Sequence, residues 1–182
     1  MKRAAAIACL AIAAGCSGGR IDSDAPRVFD LGVDAPPAKI AGAHIGAVRA
    51  AAPFDSTEMY YRLQFRNPME LLAFTQNRWA APPAELLRKR LARAADGAAK
   101  CTLDSELQEM TQVFGAKDAS EALIELRAAL SNGSGRVAER VFRVSESGAG
   151  ASAPESVPAF ARASDRAVAE LAAWTAAQPA CR

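Results

Sequence analysis

The sequence predicts an α+β fold: an antiparallel sheet of six to seven strands with a mid-chain helix and a C-terminal helix. Three observations carry this reading. Apolar and polar side chains alternate through residues 58–65. They alternate again on both sides of Ser131-Asn132-Gly133-Ser134-Gly135. Apolar residues recur at helical spacing after Pro83 and again before Pro179. A period of two is strand geometry and a period near 3.6 is helix geometry. Strands grouped in runs, with helices set apart from them, point to α+β.

The chain opens on a targeting segment. Residues 1–15 read as a lipoprotein signal peptide, with Lys2 and Arg3 ahead of a short apolar run. That run is too short to span a bilayer. Ala14 and Gly15 supply the small side chains a signal peptidase needs just before Cys16. Cys16 reads as the lipidation site, its sulfur carrying an acyl group of the palmitate class. Ala13 stands where a lipobox prefers Leu, and an ordinary cut at Ala11-Ile12-Ala13 is the other reading. Two or more acyl chains hold a protein stably, where one holds it only marginally. Ser17, in place of Asp, favours the outer membrane and a periplasmic orientation. Residues 16–27 form a lipidated, polar tether with Gly18, Gly19, Ser23, Asp24 and Pro26. Residues 28–182 are expected to form one α+β domain.

Charge narrows the function class. The chain has 22 Lys and Arg and 20 Asp and Glu. Removing Lys2 and Arg3 with the signal leaves 20 against 20, a formally neutral protein. Nucleic acid is not expected as a partner, because a binder carries a basic excess.

The strands follow in order. Residues 28–33 alternate as a first strand, broken by Pro36-Pro37. A second is expected over 45–49, ending ahead of Pro53. In residues 58–65, Met59, Tyr61, Leu63 and Phe65 share one face, and Tyr60, Arg62 and Gln64 the other. Asn67-Pro68 turns the chain, and 71–76 returns as the hairpin partner. Arg78-Trp79-Ala80-Ala81-Pro82-Pro83 makes a stiff corner into the first helix. Pro83 suits its first position and Glu85 its first turn. Leu87, Leu91, Ala94 and Ala95 line its apolar face, and Gly97 is expected to end it. Arg88, Lys89, Arg90 and Arg93 form a basic cluster, read as a solvated face rather than a phospholipid contact.

Residues 101–114 are expected as a strand, with Leu103, Leu107 and Val113 in phase. The next two strands flank the glycine turn at 131–135. Residues 145–158 read as a Gly/Ala/Ser/Pro loop. The last helix is expected over 160–178, with Ala167, Leu171, Trp174 and Gln178 in one stripe.

Cysteine arithmetic gives one more expectation. Cys9 leaves with the signal and Cys16 is acylated, so Cys101 and Cys181 remain. In an oxidising compartment they are expected to pair as a disulfide. The alternative is two free, partly buried thiols.

No catalytic constellation emerges. His44 is the only histidine, and no Gly-x-Ser-x-Gly elbow surrounds a serine. One His and two separated thiols give no metal-ligand spacing. Glu106 and Glu109 read as surface carboxylates. No cofactor is expected, and the protein is read as non-enzymatic. A binding surface remains. Tyr60, Arg62, Arg78 and Trp79 are the expected partner-binding residues, since Tyr, Trp and Arg dominate interface energetics. The competing reading places Trp79 in the core, packed on the helix that starts at Pro83.

These residues resemble a known family. Phe29-Asp30-Leu31, then Val48 with Ala52-Pro53-Phe54-Asp55, then Tyr61-Arg62, lead to the Arg78–Pro83 corner with Leu86, Leu87 and Leu91. A strand ending in Phe114, the hairpin at 130–140 and a Trp late in the last helix complete the pattern. Together they resemble the ABC-type transport auxiliary lipoprotein family, the PqiC-like group. The family often has Tyr where Phe29 stands, and the Cys101/Cys181 pair is not part of its pattern. The resemblance implies a periplasmic accessory lipoprotein without enzymatic activity. It implies work beside an ABC permease, its ATPase and a protein with MCE (mammalian cell entry) domains, moving lipids or apolar solutes across the envelope. Such a protein is tied to the membrane by its lipid and docks the MCE component near the outer membrane. A homo-oligomer stays open. The alternatives are a lipid-binding carrier and a periplasmic hydrolase built on His44 or Cys101.

Overall fold

A computed structural model describes residues 25–182. The signal peptide, Cys16 and most of the tether lie outside the described residues. The elements in order are β1 (Arg27–Phe29), β2 (Ile40–Ala50), β3 (Glu58–Leu63), β4 (Leu72–Trp79), α1 (Pro83–Ala94), β5 (Ala95–Phe114), β6 (Ser120–Asn132), β7 (Gly135–Ser147) and α2 (Ala153–Ala176). A 3-10 turn, Pro179–Cys181, follows.

The sheet has seven strands in the order β1-β4-β3-β5-β6-β7, with β2 alongside β5. It is mixed, which corrects the all-antiparallel expectation. β1 runs parallel to β4, and both β2 and β3 run parallel to β5. The β3–β4, β5–β6 and β6–β7 junctions are antiparallel. The reason is the route of the chain. Parallel neighbours need a long crossover, and β4 with α1 supplies it between β3 and β5.

β5 is the spine. β2 pairs with it up to Leu107, and β3 takes over on the same edge from Thr111. The register slips between Leu107 and Glu109, where one partner gives way to the next. β2 and β3 therefore lie end to end, separated by the turn that holds the cis Ala52–Pro53 bond.

The core lies between this sheet and the two helices. α2 packs on β2, β6 and β7, and α1 on β2 and β5. Alternate residues of β6, Ala122, Ile124, Leu126, Ala128 and Leu130, are all buried. Phe160, Ala163, Ala167, Leu171 and Trp174 of α2 meet them from above. Trp174 stands edge-on to Phe142 of β7 at 5.4 Å between ring centres. Leu87, Leu91 and Ala94 are the buried stripe of α1, as expected; Ala95 is exposed and opens β5.

Other boundaries differ from expectation. The first strand stops at Phe29, because Asp30 Oδ1 accepts the Gly32 N–H at 2.8 Å and turns the chain. β2 starts earlier, at Ile40, through an alanine- and glycine-rich stretch with little hydrophobic contrast. α1 ends at Ala94 rather than Gly97, because Ala95 has left helical geometry (ψ 135°). α2 begins at Ala153, inside the stretch read as a loop. Glu155 reaches back to accept from Ala151 N–H and Ser152 Oγ at 2.8 and 3.0 Å. Those two contacts, both accepted by Glu155, brace the first turn although Pro158 donates no backbone bond. The same two contacts hold the Glu155 carboxyl below its ordinary value, the Ala151 N–H foremost.

Cys101 and Cys181 are joined as a disulfide, Cα atoms 5.2 Å apart and 80 residues apart in sequence. The bridge fastens the C-terminal turn to β5. Gly42 of β2 lies under that turn at φ +82°, where a Cβ would strike the Cys181 carbonyl oxygen.

Candidate functional site

Four side chains were expected to form a partner surface. The structure groups three of them and buries the fourth. Tyr60 and Arg62 are in register with Thr111 and Val113 of β5, so they share the sheet face turned away from α2. Glu109 lies on that face too. Arg62 Nε donates to Glu109 Oε1 at 2.8 Å and Arg62 Nη2 to Oε2 at 3.2 Å. Thr111 Oγ1 adds a third bond to Glu109 Oε1 at 2.9 Å. Glu109, read as a surface carboxylate, is instead mostly covered and committed to Arg62.

Tyr60 donates its hydroxyl proton to Glu58 Oε2 at 2.6 Å and stands edge-on to Phe54. Burial, then the bond to Glu58, pushes the Tyr60 hydroxyl above its ordinary value. Glu58 is in register with Arg78 across the β3–β4 junction. Arg78 Nη2 lies 4.0 Å from Glu58 Oε1, and its Nη1 donates to the Asn77 carbonyl at 2.9 Å. Glu58 therefore links Tyr60 to Arg78, and Arg62 joins the same face one strand over. The two guanidinium groups are already held by partners within the sheet.

Trp79 is elsewhere. It is 2% exposed and meets Phe160 of α2 edge-on at 5.3 Å. Its ring is core, packed on the second helix rather than the first. Arg78 and Trp79 are neighbours on β4, so their side chains leave opposite faces of the sheet, and only Arg78 can share the face of Tyr60.

The basic cluster of α1 also divides. Arg90 is buried at 4% exposure, contrary to its reading as part of a solvated face. Its Nε donates to Asp165 Oδ1 of α2 at 2.8 Å, and its Nη1 donates to the Leu31 carbonyl at 2.8 Å. One side chain thereby ties both helices to the segment after β1. Arg90 falls between Leu87 and Ala94 on the apolar stripe, which is the signal that could have found it. The ion pair floors a groove of about 620 Å³ between β1 and α2, with Phe29, Leu31, Val157 and Pro158 among its walls.

Other candidates stay apart. His44 is exposed on β2, and Cys101 is held in the disulfide. Among the described residues, no group of three or more His, Cys, Asp or Glu side chains could hold a metal ion. No described helix is long and apolar enough to cross a membrane.

This fold has a counterpart among known families. The family model for the ABC-type transport auxiliary lipoprotein component matches residues 32–173, from just after β1 to the last turns of α2. The chain belongs to that family. It is thus an auxiliary lipoprotein of the cell envelope associated with ABC-type transport. Two solved structures share the fold. A DUF330 protein from Xanthomonas campestris is 22% identical with a TM-score of 0.66, covering 81% of this chain and 94% of its own. An uncharacterized protein is 14% identical with a TM-score of 0.60, covering 83% of this chain and 99% of its own. At these identities the likeness speaks for the fold alone. No curated protein matches this chain.

Proposed function

We propose that this auxiliary lipoprotein is a non-enzymatic docking component of an MCE/ABC-type transport system. Cys16 holds it by lipid to the outer membrane, facing the periplasm, and the folded domain 28–182 engages the MCE-domain protein. The solute class is lipid or another apolar molecule moving across the envelope. Tyr60, Arg62 and Arg78 form the docking face, and Trp79 supports it from beneath.

The observation that carries this reading is the ordered polar face of β3 and β5. Arg62, Glu109, Glu58 and Tyr60 are cross-braced, so the face is presented without further side-chain ordering. Preorganised aromatic and guanidinium groups suit protein docking. A carrier role has less support, because the groove between β1 and α2 is open and mixes apolar walls with the charged side chains of Asp30, Asp34, Arg90, Arg162 and Asp165.

Site-specific photo-crosslinking in cells tests the proposal. A crosslinker at Tyr60 is expected to capture the MCE-domain protein, while one at Arg162 on α2 does not. Equal capture from both positions, or none from Tyr60, argues against docking through this face. Cys16→Ala is expected to release the protein from the outer membrane fraction.

A further inference from the structure

The turn between β3 and β4 carries an apolar tip. Phe65 is 43% exposed and Met69 is 85% exposed there. The turn is internally built. Arg66 N–H and Asn67 N–H both donate to the Leu63 carbonyl at 2.9 Å. Met69 N–H donates to Asn67 Oδ1 at 3.1 Å, and Glu70 N–H to the Asn67 carbonyl at 3.2 Å. Behind it, Tyr61 meets Phe74 at 4.5 Å and Phe114 at 6.1 Å between ring centres. The tip is therefore an ordered, backed projection.

The path of the chain says what lies opposite this tip. β4 starts at the tip and runs away from it. β1 is parallel to β4, with Arg27 in register with Asn77. Followed backwards, the chain therefore leaves the fold toward the tip. Extending the register puts Ala25 level with Thr75, about 10 Å from Leu72 at ~3.3 Å per residue. The residues between Cys16 and Ala25 reach at most about 30 Å. A lipid on Cys16 would thus draw this end of the sheet, where the chain leaves the fold, toward the bilayer.

We propose that Phe65 and Met69 enter the interfacial layer of the bilayer that holds the Cys16 lipid. The inference rests on the lipid anchor of the proposed function for what brings the tip there. The shape favours a membrane over a protein. A stable protein interface buries about 800 Å² per partner, and a convex tip with two exposed apolar side chains does not offer that. A lipid interface accepts such a projection. The exposed charges on the turns of this end balance, Arg66 and Lys117 against Glu70 and Asp118. The contact is accordingly apolar, and salt leaves it in place.

Fluorescence in vesicles tests it. The purified full mature protein carrying Phe65→Trp is mixed with phosphatidylethanolamine/phosphatidylglycerol vesicles containing brominated acyl chains, and its acyl state is read by mass. The new indole is expected to be quenched in low and high salt. The native Trp79 and Trp174 are buried at 2% and 9% exposure and serve as the unquenched background. Phe65→Ser with Met69→Ser is expected to lower vesicle partitioning of the unacylated Cys16→Ser chain roughly tenfold. An acylated protein that floats with vesicles without quenching overturns the tip contact and leaves the anchor standing. Quenching in a chain that mass shows to be unacylated supports the tip and removes the anchor. A chain that neither floats nor quenches overturns both.

Discussion

Arg62 of β3 reaches back across a parallel junction to Glu109 of β5, four positions before its register partner Val113, and joins it by two hydrogen bonds of 2.8 and 3.2 Å. Both side chains are mostly covered, at 23% and 18% exposure. The pair closes the point where β3 takes over the β5 edge from β2.

Breaking that pair costs stability and alters the face. Arg62→Ala leaves the Glu109 carboxylate with only Thr111, and is expected to destabilise by about 1–2 kcal/mol. Glu109→Gln in the Arg62→Ala background is expected to recover part of this. A double-mutant cycle by urea unfolding measures the coupling.

Arg90 is expected to be the most costly single charge in the protein. Its removal leaves Asp165 and the Leu31 carbonyl without their donor inside the helix layer. Arg90→Ala is expected to cost about 3 kcal/mol, in the range for breaking a buried pair. Arg90→Lys is expected to recover little, because an ammonium cannot reach both helix α2 and Leu31 in the fork geometry. Thermal unfolding followed by circular dichroism checks the order.

Tyr60 gives the fold an alkaline limit. Its hydroxyl is raised above the ordinary value of about 10, by burial first and by the Glu58 bond second. A raised value means the fold favours the protonated phenol. That stability is fully present below the unfolded value and is lost as pH rises through the folded one. Ultraviolet titration at alkaline pH is expected to show a late phenol that Tyr60→Phe abolishes.

The disulfide links the C-terminal turn to β5 across 80 residues. Closing so long a loop is worth roughly 4 kcal/mol in the chain-entropy model. Reduction is expected to lower the melting temperature and free the C-terminal turn to proteolysis. Gly42→Ala is expected to act in the same direction, since its Cβ would displace the Cys181 carbonyl.

Local patterns made much of this legible. The alternation of β3, β6 and β7, the α1 stripe and the last helix's core residues all follow from side-chain period. Strand direction does not. A period of two marks a strand but says nothing of which way its neighbour runs, and here the α1 crossover decides it. Ser152 and Glu155 marked the true start of α2, but Pro158 drew the reading toward a loop. Arg90 was taken for surface by its charge although its spacing put it on the buried stripe. Trp79 was placed on the partner surface by residue type, although the competing core reading is the one its 2% exposure fits. Tyr60 and Arg62, the proposed docking residues, were legible as a pair on one face, but Glu109, the partner of Arg62 in space, is 47 residues from it.

The parallel pairing of β1 with β4 has a mechanical consequence. A pull on the N-terminus runs along the β1 axis. It loads the Arg27–Phe29 ladder in shear, so its bonds share the force at once instead of unzipping one by one. The Ala80 N–H bond to the Phe29 carbonyl at 2.7 Å and the Arg90 bond to Leu31 sit at the far end of that load path as a latch. A short strand that adds little to the sheet is oriented to bear tension applied through the N-terminus.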